Sequence, residues 1–330
     1  MTQRQFLIEF ASILAVLFPA VLVAYLEARW VVHRWRHRAA VPRPRFWPRL
    51  LAGRPRLWDW TLHAAFALGL ACAVDAFFIE PGLLEVQLVE LRSDRIRPET
   101  GKIRVVQLSD LHSEGRVLNE ARAAEVVDYL KPDLIVMTGD YVNGPEGLPV
   151  FERMVHALRA PLGVYVVAGN YDLHEKGLER SLRSLPVHWL RANAREIEVR
   201  GTRLRIVGMD ADSEHFARPL LAPSAGHGPV PPFTILLYHY SDLAFEAADA
   251  GVDLYLSGHT HGGQVRLPWY GALVTLAKYG KRFESGLYKV GDMALYVSRG
   301  IGLEGRSAPR VRFLCRPEIT AFDLLPEEGS

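Results

Sequence analysis

The sequence predicts a layered α/β domain preceded by an N-terminal transmembrane helical hairpin. Three observations predict it. Short, wholly apolar runs recur in the body of the chain, each followed at once by Asp, Asn or His. Helical spacing fills the interval between the first two runs, supplying the crossover that a parallel strand pair needs. Two long apolar stretches come before all of them.

The apolar stretches set the domain organisation. Residues 6–26 read FLIEFASILAVLFPAVLVAYL, roughly the 20 residues required to cross a bilayer, interrupted only by Glu9 and Pro19. No small-residue cleavage site follows, so an uncleaved anchor is expected. A second stretch, 57–79, is less uniform because it carries Asp59, His63 and Asp75. Nine arginines lie between Arg29 and Arg56, broken by Pro42, Pro44, Pro48 and Pro55, which prevent a long helix. A basic loop between two apolar spans is the pattern of a cytoplasmic connection. The expected arrangement is a membrane anchor over residues 1–80 and a globular domain over 81–330. The anchor would sit in an inner or plasma membrane, with the globular domain on the non-cytoplasmic side. Were 57–79 only interfacial, that orientation would invert.

Composition excludes several classes. At 330 residues and 49% hydrophobic, the chain is neither disordered nor a stapled mini-protein. Its 39 Lys+Arg against 37 Asp+Glu leave a formal charge of +2, so no polyanion-binding surface spreads over the molecule and no nucleic-acid partner is expected. Cys72 and Cys315 are the two cysteines, too few for a disulfide framework or a thiolate zinc site.

The strand ends carry the chemistry. Residues 103–108 lead to Asp110 and His112; 134–138 lead to Gly139 and Asp140; 164–168 lead to Asn170, Tyr171 and Asp172. Farther on, 235–237 precede His239, and 254–256 precede His259 and His261. Helices are expected at 119–130 and 243–250, where apolar residues fall at helical spacing. Ligands in such sheets gather beyond the carboxyl ends of the strands, so the five ends converge on one rim. Asp110 and His112 are two apart, as are His259 and His261, which on an extended segment would point each pair to one side. Carboxylate, amide and imidazole donors together suit Mn, Fe or Zn. Seven candidates, Asp110, His112, Asp140, Asn170, His239, His259 and His261, exceed the needs of one tetrahedral ion. A carboxylate such as Asp140 can bridge two ions, so a dinuclear hydrolytic centre with two divalent metal ions is expected.

The elements DLH, GDYVNG, GNYD, LLYHYSD and GHTHGGQ resemble the calcineurin-like metallophosphoesterases. The closing SRGIG and RPEI segments are similar to the membrane-associated bacterial branch of that family, the YkuE-like or YaeI-like proteins. The resemblance spans about residues 102–325. It implies an αββα sandwich and a metal-dependent phosphoric ester hydrolase. It also implies that Asp110, His112, Asp140 and His261 hold one ion while Asp140, Asn170, His239 and His259 hold the other. One position departs from the family: Tyr171 stands where members usually carry a His implicated in the leaving-group step, which Asp172 would orient. A phenol can donate a hydrogen bond but cannot supply the charge of an imidazolium. Three routes stay open: Tyr171 donates, His174 moves in, or the leaving group departs unaided.

The substrate is expected to be a phosphomonoester or phosphodiester, with membrane anchoring favouring a lipid-linked or envelope compound. Residues 269–283 join aromatics to Lys278, Lys281 and Arg282, which suits a lipid head group; a hairpin with a solvated face would look the same. Arg299, Arg306, Arg310 and Arg312 could grip a second phosphate or be solvated charge. The rival reading, favoured by Tyr171, is a catalytically weak metal-binding membrane protein with a regulatory or structural role.

Overall fold

A computed structural model describes Leu26 and residues 56–222, 230–304 and 310–327. The expected span at 6–26 and most of the arginine-rich loop lie outside the described residues, as does Arg306. The second apolar stretch forms a helix, Arg56–Val74, continued by shorter helical turns through Gly82. Within it, His63–Gly82 is long enough and apolar enough to cross a bilayer, with a mean hydropathy of 1.6. The described residues up to Ile79 and those from Glu80 onward fall into two separate units.

From Glu80 onward the architecture is two facing sheets with helices outside each. The chain enters through β1 (Glu85–Ser93), β2 (Ile103–Leu108), β3 (Leu134–Met137), β4 (Val164–Val166) and β5 (His188–Trp189). It continues through β6 (Asn193–Val199), β7 (Thr202–Met209), β8 (Phe233–Tyr238) and β9 (Leu254–Ser257). A two-stranded hairpin, β10 (Arg266–Leu267) and β11 (Gly271–Ala272), precedes β12 (Gly286–Val290), β13 (Met293–Val297) and β14 (Glu318–Pro326). The first sheet has the order β1-β14-β2-β3-β4-β5 and the second β12-β13-β9-β8-β7-β6. In the first, β2 to β5 run parallel; in the second, β7, β8, β9 and β13 do. The carboxyl ends of β2, β3, β4, β8 and β9 carry the candidate ligands.

The runs are apolar because the central strands are covered on both faces. Ile103, Val105 and Val136 of the first sheet meet Ile206, Ile235 and Leu256 of the second. Behind the first sheet, Val106, Ile135 and Met137 pack on helices Glu120–Leu130 and Leu148–Ala157 through Ala123, Val127 and Phe151. Behind the second, Leu236 and Tyr255 pack on helix Ala244–Asp249 through Ala244 and Ala247. The four layers are thus αββα, and both expected helices form within a residue of their expected limits.

The last strands close the fold with a buried cation. Arg312 is fully buried. Its guanidinium donates to the carbonyls of Arg299, Gly300, Gly302 and Cys315. The segment so held lies on the loop after β2: a Cβ at Gly302 would stand 1.9 Å from the Leu111 carbonyl oxygen. Arg299 pairs with Glu318 and Glu85, and Arg310 with Glu114. These three arginines are therefore taken up by the protein itself rather than turned toward a second phosphate. Substituting Arg312→Met should strand four carbonyls and cost about 2–5 kcal/mol. Urea unfolding followed by circular dichroism measures it, and a midpoint equal to wild type would show the guanidinium to be dispensable.

Candidate metal centre

Each strand end delivers its side chain through a tightly constrained loop. Of the twelve non-glycine residues with positive φ among the described ones, five are candidate ligands: Asp110 (50°), His112 (44°), Asp140 (56°), His259 (70°) and His261 (50°). Left-handed backbone at non-glycine residues is uncommon, costs free energy, and concentrates at functional sites. The pairs Asp110/His112 and His259/His261 do converge, but not as alternate residues of an extended segment. Left-handed turns aim them, since the strands have already ended.

Backbone hydrogen bonds lock these loops to one another. Asp110 N–H donates to Gly139 O (2.9 Å), His112 N–H to Asp140 O (3.0 Å) and Gly258 N–H to His239 O (2.9 Å). Glycine is required where loops meet. A Cβ at Gly169 would lie 2.2 Å from Asp140 Oδ1, and one at Gly258 would lie 2.1 Å from Asp110 Oδ2. Asp172 is the central tie. Its buried carboxylate accepts from the amides of Asp140 (2.7 Å), Tyr141 (2.8 Å) and Gly169 (2.8 Å). It therefore holds the metal loops themselves, which differs from the expected role of orienting the residue at 171.

Two clusters of donor atoms result. Asp110, His112 and His261 form one; Asp140, His239 and His259 form the other; within each, the donor atoms lie within 4.8 Å of one another. His112 Nε2 and His261 Nε2 face each other at 3.0 Å, and His261 Nε2 is 3.4 Å from Asp110 Oδ1. Asp140 Oδ2 lies 3.2 Å from His239 Nε2 in its own cluster and 3.6 Å from His112 Nε2 in the other, so the clusters meet at this carboxylate.

The imidazoles are oriented from behind. His112 Nδ1 sits 2.7 Å from Asn143 Oδ1, whose amide group donates to Glu114 and to Leu303 O. His239 Nδ1 sits 2.7 Å from the Thr138 carbonyl. Both contacts make Nδ1 the donor and turn Nε2 toward the centre. Burial holds His112 and His261 below the ordinary imidazole range and pushes His259 down to about 3, which keeps them neutral. For His239 burial acts in the same direction, but the Asp140 carboxylate overrides it and raises the ring to about 10. Asp110 is pushed up to about 7 by burial and by the charge of Asp140, against the pull of His239.

The residues fit a pair of cations. Among buried side-chain atoms with no hydrogen-bond partner are Asn170 Oδ1, His239 Nε2 and His261 Nδ1. Buried polar atoms are ordinarily satisfied, and here the donor set is the oxygen and imidazole chemistry that divalent ions take. Six of the seven candidate ligands thus lie in the two clusters, with the orphaned Asn170 amide at the end of the neighbouring strand β4.

Of the remaining predicted residues, Tyr171 lies at the edge of the clusters. Its ring meets His112 edge-on at 4.9 Å, and its hydroxyl donates to Glu304 Oε1 at 2.9 Å. His174 ends the short turn Asp172–His174 and is exposed. The sequence reading missed Asn143 and Glu304. Asn143 stood inside the GDYVNG element without a role, and nothing near Glu304 in sequence marks it, because its partner Tyr171 is 133 residues away.

Known proteins agree with this geometry. The profile of the calcineurin-like phosphoesterases matches residues 103–263. Metallophosphoesterase YkuE of Bacillus subtilis is 32% identical over 258 residues, covering 76% of this chain and 88% of that protein. Phosphodiesterase YaeI of Escherichia coli is 29% identical over 260 residues, covering 75% and 91%. UDP-2,3-diacylglucosamine pyrophosphatase LpxG of Chlamydia trachomatis is 24% identical over 339 residues, covering 84% and 96%. A domain of two mixed sheets, candidate ligands at its strand ends and a relative 32% identical over 76% of the chain converge: the chain belongs to the calcineurin-like phosphoesterases, a family of metal-dependent hydrolases.

Proposed function

We propose that this protein is a membrane-anchored phosphoesterase that uses two divalent cations, of Mn, Fe or Zn, to hydrolyse a lipid-linked phosphodiester or pyrophosphate ester. One observation carries the reading: two buried His/Asp clusters meet at the Asp140 carboxylate. Asp110, His112, His261 and Asp140 would hold one ion, and Asp140, Asn170, His239 and His259 the other. Such a pair, when bound, supplies a water of lowered pKa and neutralises charge on phosphoryl oxygens.

The chain's own groups prepare that site. Asn143 and the Thr138 carbonyl fix ring orientation, and Asp172 fixes the spacing of the loops carrying Asp140 and Asn170. The Tyr171 hydroxyl, which donates to Glu304, would redirect that hydrogen bond to a bound substrate. Glu304, whose carboxyl burial raises above its ordinary range, positions the phenol. His174, exposed on its turn, takes no part.

The lipid-linked substrate is supported by the name of the similar UDP-2,3-diacylglucosamine pyrophosphatase, and by the apolar helical segment that precedes the catalytic unit in the chain. The reading assigns residues 1–80 to the anchor and 81–330 to catalysis. It puts the catalytic unit on the non-cytoplasmic face, an orientation supported by the arginine-rich loop.

Asp140→Asn should lower turnover of bis(p-nitrophenyl) phosphate by more than about 100-fold, the upper range for residues that merely support a ligand. Metal content by mass spectrometry should fall below two equivalents with the circular dichroism spectrum retained; undiminished turnover refutes the assignment. For the leaving-group step, Tyr171→Phe should slow phenyl and alkyl esters by about 10²-fold or more while sparing nitrophenyl esters, and His174→Ala should change neither. A Tyr171→Phe loss that is uniform across the leaving-group series would remove the phenol from that step.

A further inference from the structure

Three large apolar side chains project from the same histidine-bearing rim in a backbone conformation that costs folding free energy. Trp269 has φ 62° and is 104% exposed, Leu314 has φ 52° and is 50% exposed, and Leu276 has φ 54° and is 36% exposed. Left-handed positions favour glycine or asparagine, and a bulky apolar residue there is an outlier. Exposure adds a second cost without any packing in return. Stability alone does not account for a tryptophan at the tip of the tight β10–β11 hairpin, where register pairs Leu267 with Gly271 across three residues.

Each of the three is tied to the candidate metal loop. The segment leading to Leu276 lies on that loop: a Cβ at Gly263 would stand 2.7 Å from the Val274 carbonyl oxygen. Cys315, next to Leu314, donates its thiol to His261 O at 3.1 Å. Arg266, at the base of the hairpin, donates to Gly262 O at 3.0 Å, and its amide donates to Phe313 O at 2.9 Å. Trp269, Tyr270, Leu267 and Leu314 line one shallow cleft. Lys281 Nζ stands 4.2 Å above the Tyr270 ring, so the patch joins aromatics, aliphatics and a cation, the composition of membrane–water interfaces.

One contact decides which occupant this patch meets. Glu80 is the residue immediately after Ile79, where the apolar helical segment gives way to the catalytic unit. Its buried carboxylate accepts from the amides of Leu314 (2.8 Å) and Cys315. The exposed Leu314 is therefore held to Glu80, which follows directly on the apolar helical segment in the chain. We infer that the β10–β11 hairpin and Leu314 form a bilayer-seating surface. Trp269 and Leu314 enter the head-group layer of the membrane that holds the apolar helix, and so present the metal-loop rim to phosphoesters carried by lipids. This inference rests on the membrane-anchored reading above.

The test uses the full chain in vesicles of phosphatidylethanolamine and phosphatidylglycerol, with p-benzoylphenylalanine introduced in place of Trp269. The fully exposed side chain packs against nothing, so the fold and turnover of bis(p-nitrophenyl) phosphate should be unchanged. Illumination should add the mass of one phospholipid at position 269. The same label in place of Tyr129, exposed near the far end of helix Glu120–Leu130, should add none. Vesicle-bound protein that gives no lipid adduct at 269, or cross-links there to a second copy of the chain, overturns the seating surface while leaving the anchor intact. Protein that fails to float with the vesicles overturns the anchor, and the seating surface with it.

Discussion

The structure depends on crowding carboxylates and imidazoles into one dry volume at the mouth of two packed sheets. Asp110, Asp140 and four histidines are buried or nearly so, with Asp140 within 3.6 Å of rings from both clusters. Without cations, burial and like charge drive Asp110 toward its neutral acid, while Asp140 keeps a proton on His239. Bound cations would reverse both tendencies, because they would favour the carboxylate and compete with the proton for the imidazole nitrogen. Five left-handed ligand residues, at about 1–3 kcal/mol each, are tolerable only because the surrounding layers over-determine their position. Asp172 does much of that work, converting three otherwise orphaned amides into a brace between the loops after β3 and β4.

What was legible in the sequence follows from this arrangement. Strands buried on both faces must be apolar throughout, so β2, β3, β4, β8 and β9 announce themselves without reference to partners. Because ligands must sit where those strands stop, the seven candidate residues could be read directly. The edges could not. β1 alternates half-buried and exposed residues, and β6 is mostly exposed, so neither carries a strong apolar signal. The placement of β14 between β1 and β2 depends on pairing over more than 200 residues, which no local pattern encodes. The supporting groups are hidden for the same reason: Asn143 reaches His112 across 31 residues and Glu304 reaches Tyr171 across 133.

The arginines near the end of the chain show how the same residue type divides by environment. A guanidinium beside a phosphate site and one that knits a loop are indistinguishable in sequence. Arg312 is committed to four carbonyls, and Arg299 to Glu318 and Glu85, which fixes the SRGIG segment against Asp110 and Leu111. Their charge serves the geometry of the first cluster from outside it.

The same electrostatic logic bears on Tyr171. A histidine at that position would have to carry a proton beside whatever divalent cations the two clusters hold, and their field would disfavour an imidazolium. A phenol has no such conflict. It is neutral while it holds its proton, and Glu304 accepts from the hydroxyl until a substrate takes over that hydrogen bond. What it gives up is acid strength, so it serves best where the departing group needs a hydrogen bond more than a full proton. A pyrophosphate or diester whose leaving group is itself a phosphate or another stabilised anion has that property, whereas a simple alkoxide does not. Under the proposed function, Tyr171 thus favours substrates with good leaving groups, while both candidate clusters stay complete.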